Sequence, residues 1–269
     1  MPDWSRIFPA GDHRWTMGLR PGDLADDFAP RDPTGETLRE RARWLAAEPE
    51  KYLALLPAGR ASLDDTSALA RLLGAPLATN DPADERQRLV ALGSALEPDL
   101  VWLLPDAAGV HRVVGGIVCF PSSWALTEKL GLPIADVHGP VPELNAVLGR
   151  QIDTFLRKLA AGDVWTRENW SLSRSAERNQ HTSRPRRALD ADVTIAEVYI
   201  RLEHQLLLRL PTSGGVLFGI RIEIVPLEEL RQDRDAAQRL ARLITTMSPE
   251  IAHYKNFAPA RERLAQLLT

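Results

Sequence analysis

The stretch VTIAEVYIRLEHQLLLRLPTSGGVLFGIRIEIV, from Val193 to Val225, decides the architecture. Within it Val198, Ile200, Leu202, Leu206, Leu208 and Leu210 alternate with Glu197, Tyr199, Arg201, Glu203, Gln205 and Arg209. Successive side chains of a strand point to opposite faces, so this is a long strand with one apolar face and one face equipped for polar chemistry. Pro211-Thr-Ser-Gly-Gly215 is short enough to close a hairpin onto a second strand, Gly215 to Val225. His204 is the only polar interruption of the apolar side, where an imidazole must find a partner.

Working outward, Leu100 to Leu104 and Val110 to Phe120 are rich in β-formers and flank the turn Pro105-Asp-Ala-Ala-Gly109, which predicts another hairpin. Thr166 to Ser171 reads as a further strand. Between these, Pro140 to Ala161 shows helical spacing through Leu144, Val147, Leu148, Ile152, Phe155, Leu156 and Leu159, with Gly162 as a stop. Its apolar face is expected on the sheet.

The first third reads as helices. Thr37 to Leu56 places Leu38, Ala42, Leu45, Leu53 and Leu56 near one face. Ser62-Leu-Asp-Asp65 has the form of a capping box, Gly74 and Pro76 mark a stop, and Ala83 to Leu96 gives another helix. From Leu227 to Thr269 the pattern is helical again, with Ser248 as N-cap before Pro249. The expected fold is α+β, an antiparallel sheet with helices packed on it and helical N- and C-terminal extensions. We expect one domain over 1–269, mostly helical to 98, a sheet core with a central helix over 99–225, and helices from 226 to 269.

Composition narrows the function. A formal net charge of -3 argues against neutralising many phosphates, so nucleic acid is not an expected partner. Cys119 is the only cysteine, which leaves no internal disulfide and no all-cysteine metal or iron–sulfur site. Met1 to Ala10 lacks a basic stretch followed by an apolar run, and no segment has the roughly 18 apolar residues of a membrane span. The expectation is a cytoplasmic protein without membrane contact.

Common catalytic signatures are missing: there is no GxxxxGK[ST], GxGxxG, GxSxG or HExxH. The six histidines are scattered and give no multi-histidine metal signature, although a cofactor held by a single histidine stays open. The most unusual stretch runs from Cys119 to Pro142, where His138 precedes Gly139-Pro-Val-Pro142. Prolines that fix φ beside an imidazole suit a preorganised ligand or base, and equally a structural turn. Arg167, in Thr166-Arg-Glu-Asn-Trp-Ser171, can take a carboxylate bidentately or sit exposed beside a core tryptophan. The arginines from Arg167 through Arg174, Arg178, Arg184, Arg186 and Arg187 read as a solvated loop or as a dock for an acidic electron-transfer partner.

Taken in order, Phe120-Pro-Ser-Ser-Trp124, Lys129-Leu-Gly131, His138-Gly-Pro-Val-Pro142, Asn169-Trp-Ser171, Arg201-Leu-Glu-His-Gln205 and Arg209-Leu-Pro211 resemble the haem-dependent oxidative N-demethylase family, the haem-bearing subunit of dimethylamine monooxygenase and its relatives. The resemblance covers roughly Leu100 to Val225. It implies a PAS-like sheet and helices enclosing haem b, with an iron that uses O2 to oxidise a small secondary amine, which then loses a methyl group as formaldehyde. Electrons would come from a separate flavin and iron–sulfur reductase component.

On that resemblance His138 is the expected iron ligand, with its second nitrogen fixed by an acceptor. Arg201, Arg209 and Lys129 are expected at the haem propionates, Trp124 and Arg167 elsewhere around the cofactor, and Glu203 on a protonated amine. His204 stands where the family more often has arginine, and it is the rival ligand or distal catalytic residue. A PAS-like haem or small-ligand sensor without turnover, and an interaction subunit without cofactor, are the alternatives.

Overall fold

The computed structural model describes residues 2–79 and 82–269. Short helices α1 (Trp4–Ile7) and α2 (Leu24–Phe28) flank strand β1 (Arg20–Pro21). Next come α3 (Glu36–Ala47), α4 (Pro49–Tyr52), β2 (Leu53–Leu55), α5 (Arg60–Leu72) and α6 (Glu85–Ala95). The core follows as β3 (Asp99–Pro105), β4 (His111–Ile117), α7 (Ile134–Val137), α8 (Leu144–Lys158), β5 (Val164–Ser173), β6 (Tyr199–Arg209) and β7 (Val216–Pro226). The chain ends in α9 (Leu227–Leu230), α10 (Arg234–Thr246), α11 (Pro249–Tyr254) and α12 (Arg261–Leu268). Among the described residues no helix is long and apolar enough to cross a membrane.

All strands pair antiparallel in the order β1-β5-β6-β7-β3-β4-β2. Without the short edge strands β1 and β2, the five core strands lie in the order 2-1-5-4-3, with α7 and α8 between the second and third. That is the expected α+β, PAS-like arrangement. Both predicted hairpins form.

The two sheet faces carry different loads. On one, Val101, Leu103, Val113 and Val216 pack with Leu156 of α8, Leu159 just after it, and the half-buried Trp165, Leu207 and Phe218. We call this the α8 face. On the other, Ile200, Leu202, Val225, Trp170 and Leu172 meet Leu240, Leu243, Ile244 and Leu264 of the C-terminal helices. Leu100, Trp102, Ile117, Leu206, Leu208 and Leu217 on that same side meet Leu45, Leu63 and Leu92 of the N-terminal helices. Trp102 is fully buried, and its indole N–H is answered by Thr66 Oγ1 at 2.9 Å.

Several N-terminal expectations need correction. The helix predicted over Thr37 to Leu56 ends at Ala47, because Pro49 lacks an N–H and excludes the preceding residue from helical φ/ψ, and Leu53–Leu55 leaves as a strand against β4. Its buried stripe is Thr37, Arg41 and Leu45, while Ala42 is exposed. Ser62 to Asp65 is no capping box, since α5 already starts at Arg60 and both residues are buried inside it. Asp65 instead accepts hydrogen bonds from the amides of Thr212 and Ser213, at 3.1 and 2.8 Å, and so fixes the β6–β7 turn. The strand expected from Val193 begins only at Tyr199. Ile195–Glu197 is a 3-10 turn that Thr194 and Glu197 cap reciprocally. Val147 lies off the buried side of α8 and is 50% exposed.

Candidate functional site

The alternation along β6 that predicts two faces also separates the nominated residues. Gln205 pairs with Arg167, Glu203 with Asn169 and Arg201 with Ser171 across to β5, so these side chains share the α8 face with Leu207. His204 lies on the opposite face.

Glu203 is the centre of the polar cluster. Its Oε1 accepts from Ser122 Oγ at 2.6 Å, and its Oε2 accepts from Asn169 Nδ2 at 3.0 Å and Gln205 Nε2 at 2.7 Å. Burial opposes ionisation, but the bonds from Ser122 and Asn169, the Arg201 charge and the bond from Gln205 outweigh it and hold the carboxyl below its ordinary range. Glu203 is therefore an ionised, half-buried carboxylate. Of the roughly four lone-pair sites a carboxylate offers, three are taken, which leaves one on Oε1.

A buried relay positions Ser122. Arg41 of α3, fully buried, donates from Nη1 to Asp99 Oδ1 at 2.5 Å, and Asp99 accepts the amides of Cys119 and Phe120 at 2.7 and 2.9 Å. Phe120 carbonyl then accepts Arg201 Nη2 at 2.5 Å, and Arg201 Nε donates to Ser122 Oγ at 2.7 Å. The segment that ends β4 is thus held from both sides, which aims Ser122 at Glu203. Arg201 also donates to Glu177 carbonyl at 3.5 Å. Its guanidinium thus spends three of its five N–H donors on the protein.

His138 caps α7, with its backbone N–H on Ile134 carbonyl at 3.0 Å. Its Nδ1 is sealed from solvent and, among the described residues, has no partner. The acceptor expected behind the imidazole is not there. Burial, helped by the Arg167 charge, drives the His138 pKa down to about 4, so the ring is neutral. Arg167 Nε is also buried and unpartnered, and the guanidinium feels Glu203 and Glu168. A neutral imidazole, an unsatisfied guanidinium and a fixed carboxylate thus occupy one side of the sheet.

Other nominated residues are placed differently. Trp124 is half-buried and packs between the apolar clusters. The Lys129 side chain makes no ion pair or hydrogen bond among the described residues. Arg209 ends β6 with Nη1 buried and unpartnered. The arginine-rich loop is largely paired by the protein: Arg174 to Asp190 and Glu197, Arg184 to Glu177 and Arg187 to Glu197 locally, and Arg178 to Glu40 of α3.

His204 finds two partners, with Nδ1 at 2.6 Å from Glu168 Oε2 and Nε2 at 2.9 Å from Glu223 Oε2. Burial disfavours its charge, yet the two carboxylates overcome this and raise its pKa to about 9. The ring is a cation at neutral pH with both nitrogens occupied, so it has no lone pair for a metal. It lines a cleft of about 560 Å³ along β7 beyond Ile220, where β3 no longer pairs. Phe120, Ile222 and Ile224 form part of the same cleft, and Ile222 and Ile224 are the register partners of Glu203 and Arg201. The cleft therefore backs onto the Glu203 cluster.

A family model described as haem-dependent oxidative N-demethylase, alpha subunit-like, matches residues 62–265. The chain belongs to this family. The match extends past the motif-bearing region on both sides, into α5 upstream and α12 downstream. Every ordered motif from Phe120 to Pro211 lies inside it, and three of them meet at Glu203, through Ser122, through Asn169, and through Arg201 and Gln205.

Ser122 and Gln205 stand inside quoted motifs, but no sequence spacing reveals that they grip Glu203. Tyr254 and Lys255 were also missed. Lys255 Nζ donates to Trp170 carbonyl at 2.7 Å and lies 4.8 Å from the Trp170 ring, and both residues feel the Glu203 charge. Burial lowers the Lys255 pKa to about 8.

Proposed function

We propose that this member of the family catalyses O2-dependent oxidative N-demethylation of a small secondary amine of the dimethylamine kind, with release of formaldehyde and electrons from a separate flavin and iron–sulfur protein. The residues on the α8 face fit haem b. An imidazole that would hold iron must be neutral, and His138 is neutral with no hydrogen bond to surrender at Nδ1. Arg167, Arg209 and Lys129 have donors without protein acceptors, as the carboxylates of such a group require. Trp124, half-buried against the apolar cluster under α8, offers an apolar surface.

Haem, when bound, supplies the iron chemistry that activates O2. The chain's own residues bind and orient. Glu203 presents a fixed negative charge, and an ammonium N–H of the amine fits the acceptor site left on Oε1. Ser122, Asn169 and Gln205 hold that carboxylate still, and Arg201 positions Ser122. Burial keeps the cluster away from bulk water, which strengthens a charge-assisted bond.

The observation that carries this reading is the placement of an unpartnered neutral His138 on the same sheet face as the ionised Glu203. The test is protein expressed with haem supply. A Soret band is expected in the wild type and in Glu203→Gln, and its loss in His138→Ala. Amine-induced spectral shifts are expected to need about 10- to 100-fold more amine in Glu203→Gln, from the loss of one charge-assisted bond. A colourless wild-type protein refutes the haem reading. An amine-induced shift without formaldehyde release, donor supplied, refutes turnover and leaves a sensor.

A further inference from the structure

A second unsatisfied polar group on the α8 face lies away from Glu203. His111 opens β4 and is only 3% exposed, yet among the described residues neither ring nitrogen has a hydrogen-bond partner. Arg209 closes β6 with Nη1 buried and likewise unanswered. The register brings them to one side. Arg209 pairs with Val216 and Val216 with Leu103, Leu103 pairs with Val113, and His111 stands two residues before Val113. Val216, Leu103 and Val113 all belong to the cluster under α8.

Burial and then the Arg209 charge lower the His111 pKa, with Asp153, Arg157 and Asp106 the other charges it senses. Neither nearby acid is free. Asp153 is bound by Arg157, and Asp106 by Arg112 at 2.8 Å. An imidazole N–H and a guanidinium N–H are therefore sealed into an apolar layer with no protein acceptor, an arrangement that native interiors avoid unless something else accepts the bonds.

We propose that His111 and Arg209 form a buried receptor for a carboxylate group. Two unanswered donor groups on one side of the sheet, one of them a cation whose charge reaches the other, suit the two oxygens of a carboxylate, and the apolar layer around them suits a ligand whose remaining atoms are greasy or very small. The carboxylate comes either from a free small acid or from a porphyrin propionate, and only the second source rests on the haem reading above.

The experiment follows the His111 ring nitrogens by NMR in full-length protein labelled with ¹⁵N-histidine, assigned by His111→Gln. Sodium acetate and formate are titrated against chloride at constant ionic strength. In parallel the diamagnetic zinc protoporphyrin IX is titrated against its dimethyl ester. A saturable shift with acetate or formate identifies a free acid, and a shift with the porphyrin diacid but not the ester identifies a propionate. Either response is expected to weaken about 10- to 100-fold in Arg209→Met and to return in part in Arg209→Lys, which also covers poor folding of the methionine variant. A His111 resonance that ignores all carboxylates, responds equally to chloride, or responds as strongly in Arg209→Met overturns the proposal. A protein that binds acetate here but no porphyrin keeps this site and loses the haem reading.

Discussion

His204 is clamped between Glu168 and Glu223 on the face opposite His138, and this makes a stability term that pH switches off. A rise from the ordinary 6.5 to about 9 corresponds to roughly 3 kcal/mol of preference for the charged ring. Glu223 is 44% exposed, so solvent screens that partner and about 1–2 kcal/mol is the expected share in stability. The folded pKa lies above the unfolded one, so the contribution is complete below pH 6.5, falls as pH rises toward 9 and is lost above it. Lys255 titrates near 8 in the same window, in the sense that releases a buried charge as pH rises. The measurement must therefore be a difference. Urea unfolding of the wild type and of His204→Arg, which keeps the charge at every pH in the range, isolates the histidine because Lys255 is common to both. The wild type is expected to lose about 1–2 kcal/mol relative to His204→Arg between pH 6.5 and 9.5. A constant difference across that range refutes a charged His204, and with it the argument that this ring cannot hold iron.

Arg41→Met leaves Asp99 buried and uncompensated beside the amides that fix Phe120. A loss of about 3–5 kcal/mol in chemical unfolding is expected, and a change under 1 kcal/mol would mean that the Arg41 pair does not hold the end of β4. Cys119 is fully buried, and burial pushes its thiol up to about 12. Iodoacetamide is expected to leave the native protein unmodified and to alkylate it fully in guanidinium, as read by mass spectrometry; rapid native alkylation would show that the strand end opens.

The parts of the fold that the sequence predicts well are those whose signal is local. Period-two alternation from Val198 to Leu210 and the Pro211 to Gly215 link suffice for the β6–β7 hairpin, and helical spacing suffices for α8. The N-terminal differences other than the stop at Pro49 have one cause. At Ser62 and Asp65, and at Ala42, local pattern points to capping or burial, whereas tertiary partners decide: Asp65 serves the turn at Thr212 and Ser213, and Arg41 is buried because Asp99 answers it. At the site, the resemblance brought Glu203, Arg201 and His138 forward by name. Period-two alternation alone sets His204 and Glu203 on opposite faces, but neither it nor the resemblance says that His204 is clamped by Glu168 and Glu223, or that Arg201 spends donors on Phe120 and Ser122.

That one-residue separation explains how the chain keeps two incompatible demands apart. A ligand imidazole must be neutral and unencumbered, while two glutamates that converge from neighbouring strands, Glu168 and Glu223, call for a cation between them. On β6 the pleat assigns the second task to the face of His204 and leaves Glu203 on the other, beside Arg167 and within the field that also reaches His138. Were β6 to slip by one residue, His204 would enter the α8 face, Glu203 would lose Asn169 as its register partner, and the carboxylate would be buried without its donors. Register, fixed at the hairpin by Asp65, is therefore what keeps the candidate chemistry on one side of the sheet and the charge neutralisation on the other.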